Sequence, residues 1–296
     1  MTSPERTLDD LIDFDRLERE LPTLVDSYRS ARPFPHVVLD DVVLPGTLEA
    51  AYAEFDAIDE GTWRKYLHVN ERKYANTDRD TWGPTLSALA EAFASERFVN
   101  ILERLSDVEG LRPDLTLDGG GLHRSLPGGY LNVHADFTAH HVHQNWRRRV
   151  NLLLYLNPTW DPAWGGELEL WTRDMERCEA RVVPQGNRIL LFSTDEDAYH
   201  GHPDPLACPP DLARRSLALY YFTEDADPLI RSTDYRARPG DGAKRAAIFL
   251  DKQVLHAYDV AKRRLRLSDD VVSRWLGTVD RLRPGRRSEG RRRDPS

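Results

Sequence analysis

The feature that most constrains the fold is a series of short apolar segments between about residues 111 and 223. They include YLNVHADF, VNLLLYLN, RILLFS and SLALYYF, and they are separated by PGG, NPTWDPAWGG and PQGN. Glycine, proline, asparagine and aspartate in such separators favour turns. Several short strands at this spacing, with no helix between them, are typical of an antiparallel sandwich or barrel. The sequence therefore predicts a mainly β core.

Helical patterns flank this core on both sides. The N-terminal part has apolar residues mainly at helical spacing, with Thr7 as the expected N-cap of the first helix. One short strand is expected in PFPHVVLDDVVLP, whereas the polar and aromatic segment WRKYLHVNERKYANTD reads as a long loop. We divide the chain into an N-terminal helical support region at 1–110, a β core at 111–228, a C-terminal helical extension at 229–282 and a basic tail at 283–296 that is expected to be disordered.

Composition excludes several classes of protein. The chain has 296 residues and a formal net charge of -8, so it lacks the positive charge expected of a nucleic-acid-binding protein. The N-terminus is polar and acidic, and no apolar run reaches the roughly 18 residues of a membrane span. We expect a cytoplasmic protein with neither nucleic-acid nor membrane partners. Its two cysteines, Cys178 and Cys208, lack metal-ligand spacing and read as structural. The oligomeric state is left open.

One predicted strand carries an imidazole and a carboxylate on the same face. Side chains alternate across a strand, so His134 and Asp136 point the same way and Ala135 points the other way. One histidine and one aspartate supply two of the three ligands of a facial iron site. The third ligand has to come from a distant strand. His200 and His202, which follow RILLFS, are the two candidates.

The ordered motifs of residues 120–223 resemble the iron(II)- and 2-oxoglutarate-dependent dioxygenases, with the prolyl 4-hydroxylase-like branch the most similar. The matching pieces are GGYLNVHADF, VNLLLYLNPTWDPAWGGELELW, PQGNRILLFST, YHGHP and RRSLALYYF. The resemblance implies a double-stranded β-helix, or jelly-roll, core. It also implies Fe(II) as the metal, 2-oxoglutarate as the cosubstrate and O2 as the oxidant. The implied reaction hydroxylates an unactivated C–H bond and produces succinate and CO2.

The resemblance implies a role for each residue of the iron motif. His134, Asp136 and His200 would hold Fe(II) and form the catalytic centre. His200 is preferred because the family's ligand follows a short loop and a residue such as the aromatic Tyr199. The family usually has one histidine here, so His202 stays open as a rival ligand.

The resemblance also implies a site for the cosubstrate. A basic residue on the last core strand would bind the distal carboxylate of 2-oxoglutarate, a task that suits the planar fork of arginine. The register of RRSLALYYF on the family pattern selects Arg214 over Arg215. Alternation agrees, because small residues, Ser216 and Ala218, share the face of Arg214, and Arg215 would point to solvent. The Tyr155 hydroxyl is expected on the same carboxylate.

Two other groups of residues bear on binding. His140, His141 and His143 follow the iron motif in an expected loop, and a solvated or partly packed loop is favoured there over a second metal site. The segment YLHVNERKYANTD is expected to extend over the barrel mouth and contact the substrate.

The substrate class stays open at this stage. A small molecule or a peptide is compatible with the core, including peptidyl proline, a free amino acid and a small metabolite. Asp136 favours hydroxylation over halogenation, because related halogenases leave the carboxylate position empty for chloride. Two rival functions are a cupin-like metal-dependent isomerase or hydrolase and a non-catalytic jelly-roll binding module. The basic residue of the last strand argues against the first rival, and the intact motif argues against the second.

Overall fold

The structure is a computed structural model that describes residues 8–253, except 195, 196, 243 and 252. The described residues lie in one compact unit. The expected N-cap Thr7, most of the expected C-terminal helical extension and the expected basic tail lie outside the described residues.

Four α-helices precede the β core. They are α1 at Phe14–Ser30, α2 at Thr47–Ala57, α3 at Pro84–Ala94 and α4 at Glu96–Ser106. The first helix begins later than Thr7 would set it, because the Asp13 side chain accepts a hydrogen bond from the backbone N–H of Arg16 and caps α1. In the same way the Ser95 hydroxyl accepts from the N–H of Phe98 at the start of α4. The predicted helices in this part of the chain are therefore confirmed, with a corrected start for α1.

Thirteen strands lie within the described residues. They are β1 at His36–Asp40, β2 at Arg64–Leu67, β3 at Glu71–Asn76, β4 at Arg112–Pro113, β5 at Gly121–Ser125, β6 at Tyr130–Ala135, β7 at Trp146–Tyr155, β8 at Leu168–Trp171, β9 at Cys178–Val182, β10 at Arg188–Ser193, β11 at His200–His202, β12 at Arg214–Glu224 and β13 at Asp234–Tyr235. Their main order is β1-β10-β7-β12-β5-β3-β6-β11-β8-β9. The pairs in this order are antiparallel. The predicted jelly-roll core with flanking helices is confirmed.

The segment expected to be a long loop is a β-hairpin. Strands β2 and β3 pair with each other, and β3 also pairs with β5 and β6, so it joins the two halves of the jelly roll. The apolar alternation that identifies a strand is missing because the buried face of β3 carries an ion pair. Glu71 and Lys73 lie two positions apart, with 2.9 Å between the carboxylate oxygen and Nζ.

The two faces of the central strands differ in chemistry. On β12, Leu217, Leu219 and Tyr221 pack with the helices in the largest apolar core. The alternate residues of β12 face the interior of the jelly roll. Every residue of β12 except its last is buried, which shows that both faces are covered. Polar side chains such as Arg214 and Ser216 lie on the interior face, so the candidate site is on that side of the strand.

Beyond the core, β13 pairs with β6, and Tyr235 lies opposite His134.

Residues 244–251 are helical, in agreement with the prediction for the beginning of the C-terminal extension. In the part of the chain that the structure describes, every helix is too short or too polar to span a bilayer.

Candidate metal centre and cosubstrate pocket

Two distant strands bring two histidines and an aspartate together. Antiparallel pairing of β6 with β11 sets His134 opposite His200, and Asp136 follows directly after β6. Nε2 of His134 lies 3.5 Å from one carboxylate oxygen of Asp136, and Nε2 of His200 lies 3.6 Å from the other. The three potential ligand atoms all lie within 4.8 Å of one another. This is the donor set of a facial two-histidine, one-carboxylate iron site.

Hydrogen bonds orient both imidazoles for metal binding. Nδ1 of His134 lies 2.9 Å from the carbonyl oxygen of Asn132, and Nδ1 of His200 lies 2.9 Å from that of Ala198. Each Nδ1 therefore carries the proton, which leaves the lone pair on Nε2. Burial lowers the pKa of His200 to about 4, against the opposing charge of Asp136.

Asp136 is largely shielded from solvent, with its side chain 13% exposed, but it stays ionised. Burial would raise its pKa, yet the positive charge of Arg148, together with the nearby histidines, holds that pKa well below the usual value. A neutral imidazole and an ionised carboxylate are the protonation states that a metal ion requires. The protein thus fits Fe(II) before the ion binds.

Arg148 is a site residue that sequence reasoning missed. In the sequence the run 147–149 reads most simply as a charged entrance to a strand. In the structure Arg148 is 2% exposed and its Nη2 lies 3.2 Å from Asp136. Its Nε donates to Asn151, and the Asn151 amide donates to Asp136, both at 2.8 Å. The pairing of β7 with β12 shifts register between Tyr221 and Phe222. This irregularity brings Arg148 and Asn151, which are three positions apart, to the carboxylate of Asp136. Strict alternation along a strand would place the two side chains on opposite faces.

Arg214 faces the interior at the other side of the pocket. Its Nε donates to the carbonyl oxygen of Gly166 at 2.8 Å, and its Nη2 donates to the Tyr155 hydroxyl at 3.2 Å. Arg214 is buried, and none of the described carboxylates forms an ion pair with it. Burial accordingly lowers its pKa. A buried guanidinium beside a tyrosine hydroxyl fits the distal carboxylate of 2-oxoglutarate.

Arg215 does not point to solvent, so that expectation is wrong. Its Nη2 lies 2.6 Å from Asp56 and its guanidinium lies over the Tyr52 ring, with 4.4 Å to the ring centroid. Helix α2 covers the outer face of β12 here and makes Arg215 6% exposed. The geometry places Arg214 on the interior face of β12 and Arg215 against α2.

His202 lies close to the candidate centre but outside its ligand cluster. It is 3% exposed, and its Nδ1 has no hydrogen-bond partner among the described residues. Burial, and then the charges of Arg214 and Lys73, hold the pKa of His202 well below the usual value. Within the described residues, the geometry groups His200 with His134 and Asp136.

The histidines of the segment after β6 lie in a loop, as expected. His140 is 1% exposed, and its Nδ1 accepts from the backbone N–H groups of Val142 and His143. His140 also contacts Asp114 and Asp118, whose carboxylate oxygens accept backbone N–H groups as well. This cluster satisfies its own hydrogen bonds and packs the loop.

The β2–β3 hairpin contacts the C-terminal helix through His68. The His68 ring nitrogens lie 2.9 Å from Glu71 and 2.9 Å from Asp251. Asn70 also donates to Asp251, and Lys244 donates to Asn132 on β6. The expected role of this segment in binding substrate stays a prediction.

The His68 contacts make stability depend on pH. Burial would lower the pKa of His68, but its hydrogen bonds to Asp251 and Glu71 raise it to about 9. A raised folded-state pKa stabilises the protein below about pH 6.5, and that stabilisation is lost as the pH rises through about 9. Between pH 6 and pH 9.5 we expect His68 to account for a loss of about 1–3 kcal/mol in unfolding free energy.

Urea unfolding at the two pH values measures this loss. The His68→Gln variant should show a smaller pH dependence than the wild-type protein, and Asp251→Asn should be intermediate because one partner remains. A pH dependence in His68→Gln equal to that of the wild type would contradict the assignment.

Comparisons with known proteins agree with this geometry. Residues 120–222 match the model of the 2OG-Fe(II) oxygenase superfamily. Three similar solved structures are prolyl hydroxylases. A Pseudomonas putida prolyl-4-hydroxylase is 18% identical, with a TM-score of 0.50 over 69% of this chain and 100% of that one. A Trichoplax adhaerens prolyl hydroxylase, solved with a hypoxia inducible factor peptide fragment, is 16% identical, with a TM-score of 0.51 over 74% and 94%.

The third is a prolyl 4-hydroxylase from Phytophthora capsici, which is 20% identical, with a TM-score of 0.52 over 95% of this chain and 77% of that one. At these identities the solved structures establish the fold. A search of curated proteins found no significant match.

The matched core, the fold and the His-Asp-His cluster agree with one another. They support an oxidoreductase of the dioxygenase type, for which Fe(II), 2-oxoglutarate and O2 are the expected metal, cosubstrate and oxidant. More particularly, the chain has a 2OG-Fe(II) oxygenase core that resembles the prolyl 4-hydroxylases.

Proposed function

We propose that this protein hydroxylates an unactivated C–H bond of a small molecule or peptide, with conversion of 2-oxoglutarate to succinate and CO2. His134, Asp136 and His200 would hold Fe(II), and Arg214 with Tyr155 would bind the cosubstrate. The observation that carries the proposal is the presence of both donor sets on the interior of one jelly roll. When bound, Fe(II) would supply the activation of oxygen, which no side chain here can perform.

The residues of the chain hold and orient the reacting groups. Arg214 donates hydrogen bonds from a buried, fixed guanidinium, so a carboxylate that binds there has a defined position. Tyr155 presents its hydroxyl to the same place. The distal carboxylate of the cosubstrate would therefore be fixed at one side of the pocket and its ketoacid end directed toward the His-Asp-His cluster.

Asp136 keeps its negative charge because Arg148 lies beside it. The guanidinium also lies over Tyr220, 3.4 Å from the ring centroid, and over Phe137, 4.7 Å from that centroid. These contacts fix Arg148 in one orientation. Asn151 bridges Arg148 and Asp136, so the carboxylate is held by two neighbours without losing its charge.

Apolar residues close the interior next to the centre. The Phe192 ring packs against His200 with 4.7 Å between ring centroids. Phe192 belongs to a buried cluster with Tyr155, Leu168, Leu170, Val182 and Leu190. An apolar cluster in this position disfavours water beside the candidate centre, which would strengthen the electrostatic interactions there.

The rival functions explain the pocket less well. A cupin-like isomerase or hydrolase has no use for a buried arginine without a carboxylate partner. A non-catalytic binding module has no reason to keep a neutral histidine beside an ionised aspartate in a buried cluster.

Anaerobic titration with Fe(II) and 2-oxoglutarate tests the proposal. We expect a visible metal-to-ligand charge-transfer band in the wild-type protein. His134→Ala should lose the band because one iron ligand is gone. Arg214→Gln should need at least about 10-fold more 2-oxoglutarate, because a charged hydrogen bond contributes on the order of 1.5–3 kcal/mol.

Arg215→Gln is the matched control, since it removes a neighbouring buried arginine that faces α2. It should keep the wild-type affinity for 2-oxoglutarate. Absence of the band in the wild type would contradict the proposed function, and equal effects of the two arginine variants would contradict the assignment of Arg214.

Arg148 gives a second test, directed at the metal. Arg148→Leu should weaken Fe(II) binding about 10- to 100-fold, because Asp136 loses the neighbour that keeps it ionised and oriented. Arg147→Leu is the control. Arg147 is partly exposed, and its guanidinium pairs with Asp225, at 3.9 Å, and not with Asp136. Equilibrium competition with a chelator measures both affinities. The assignment fails if the two variants bind Fe(II) equally well.

A further inference from the structure

His202 is a buried polar residue that the proposed function leaves without a role. It lies on β11, two positions after His200, so the two imidazoles share a face of the strand. The pairing of β11 with β6 shifts register between them, with His200 opposite His134 and His202 opposite Leu131. His202 therefore faces the same interior as the candidate centre, displaced from it along the strand.

One ring nitrogen of His202 has no partner. Its Nδ1 is buried and forms no hydrogen bond to a described residue. His134 and His200 differ in this respect, because their Nδ1 atoms bond to backbone carbonyls. A buried polar group without a partner is unfavourable, so the Nδ1 of His202 favours a partner that binds beside it.

The position of His202 indicates which ligand group it meets. Gly201 pairs with Glu169 on β8, so His202 lies beside the beginning of that strand. Gly166 precedes the same strand, and its carbonyl oxygen accepts the Nε–H of Arg214. The Arg214 side chain thus crosses from β12 to the end of β8 where His202 lies.

The donors around His202 cannot accept its N–H. Arg214 and Lys73, whose charges act on His202, have only donor groups. In either tautomer the imidazole has one N–H that needs an acceptor. A carboxylate that binds Arg214 would bring acceptor oxygens to this end of the pocket.

We propose that His202 is a further binding residue for the cosubstrate and that it donates a hydrogen bond to the distal carboxylate of 2-oxoglutarate beside Arg214. The inference rests on the proposed function. The two histidines of β11 would then have different roles, because His200 would bind the metal and His202 would bind the cosubstrate.

The test compares two ketoacids on protein loaded with Mn(II) in the absence of oxygen. 2-Oxoglutarate has the distal carboxylate, whereas 2-oxopentanoate has the same five-carbon chain without it. Calorimetric titration gives the affinity of wild-type protein, His202→Leu and His202→Gln for each ketoacid. Mn(II) affinity and thermal unfolding of each variant report on the metal site and the fold.

His202→Leu should bind 2-oxoglutarate about 10- to 100-fold more weakly, because it fills the space but removes the donor. Its affinities for 2-oxopentanoate and Mn(II) should stay close to those of the wild type. His202→Gln keeps an N–H group and should recover part of the 2-oxoglutarate affinity.

Two results would overturn the inference while leaving the proposed function intact. One is unchanged affinity of His202→Leu for 2-oxoglutarate, and the other is an equal loss for both ketoacids, which would indicate a structural role. Loss of Mn(II) binding in both His202 variants would instead make His202 a metal ligand and also overturn it. Failure of the wild-type protein to bind 2-oxoglutarate would remove the proposed function and this inference together.

Discussion

The site depends on the antiparallel pairing of two short strands, β6 and β11. Their register sets His134 opposite His200, although 65 residues separate the two positions in the sequence. Asp136 reaches the same point because it follows β6 directly. Any slip of one residue in this pairing would turn one imidazole to the opposite face and remove the cluster. The jelly roll supports this pairing by continuing it through β8 on one side and β3 on the other.

Two buried arginines have different electrostatic roles. Arg148 lies beside the carboxylate of Asp136 and keeps it ionised. Arg214 has no such partner among the described residues and presents its charge to a ligand. A net charge of -8 on the whole chain therefore coexists with a pocket whose free charge is positive. This local difference, rather than overall composition, is what suits a dicarboxylate cosubstrate.

The sequence predicts those parts of the fold in which one pattern dominates. The strands of the core and the helices α1 to α4 follow from alternation, helical spacing and turn residues. The β2–β3 hairpin is hidden because Glu71 and Lys73 are buried as an ion pair, which looks like a solvated loop in the sequence. The burial of Arg215 cannot be predicted from the sequence either. It depends on α2, which lies far away in the sequence, and no sequence pattern indicates that this helix covers β12.

The sequence also predicts most, but not all, of the residues of the candidate site. Spacing and family resemblance select His134, Asp136, His200, Arg214 and Tyr155, and the structure brings these side chains to one interior. Arg148 could not be found in that way, because a register shift in β7 breaks the alternation on which the search relied. The unpartnered state of His202 is likewise a property of three-dimensional packing alone.

We propose that one metal ion binds between β6 and β11. Anomalous diffraction from crystals grown with Mn(II) in place of Fe(II) would locate it. We expect one strong peak at a bonding distance of about 2 Å from Nε2 of His134, Nε2 of His200 and a carboxylate oxygen of Asp136. A peak bonded to His202 in place of His200, or one at the His140 cluster with this position empty, would contradict it.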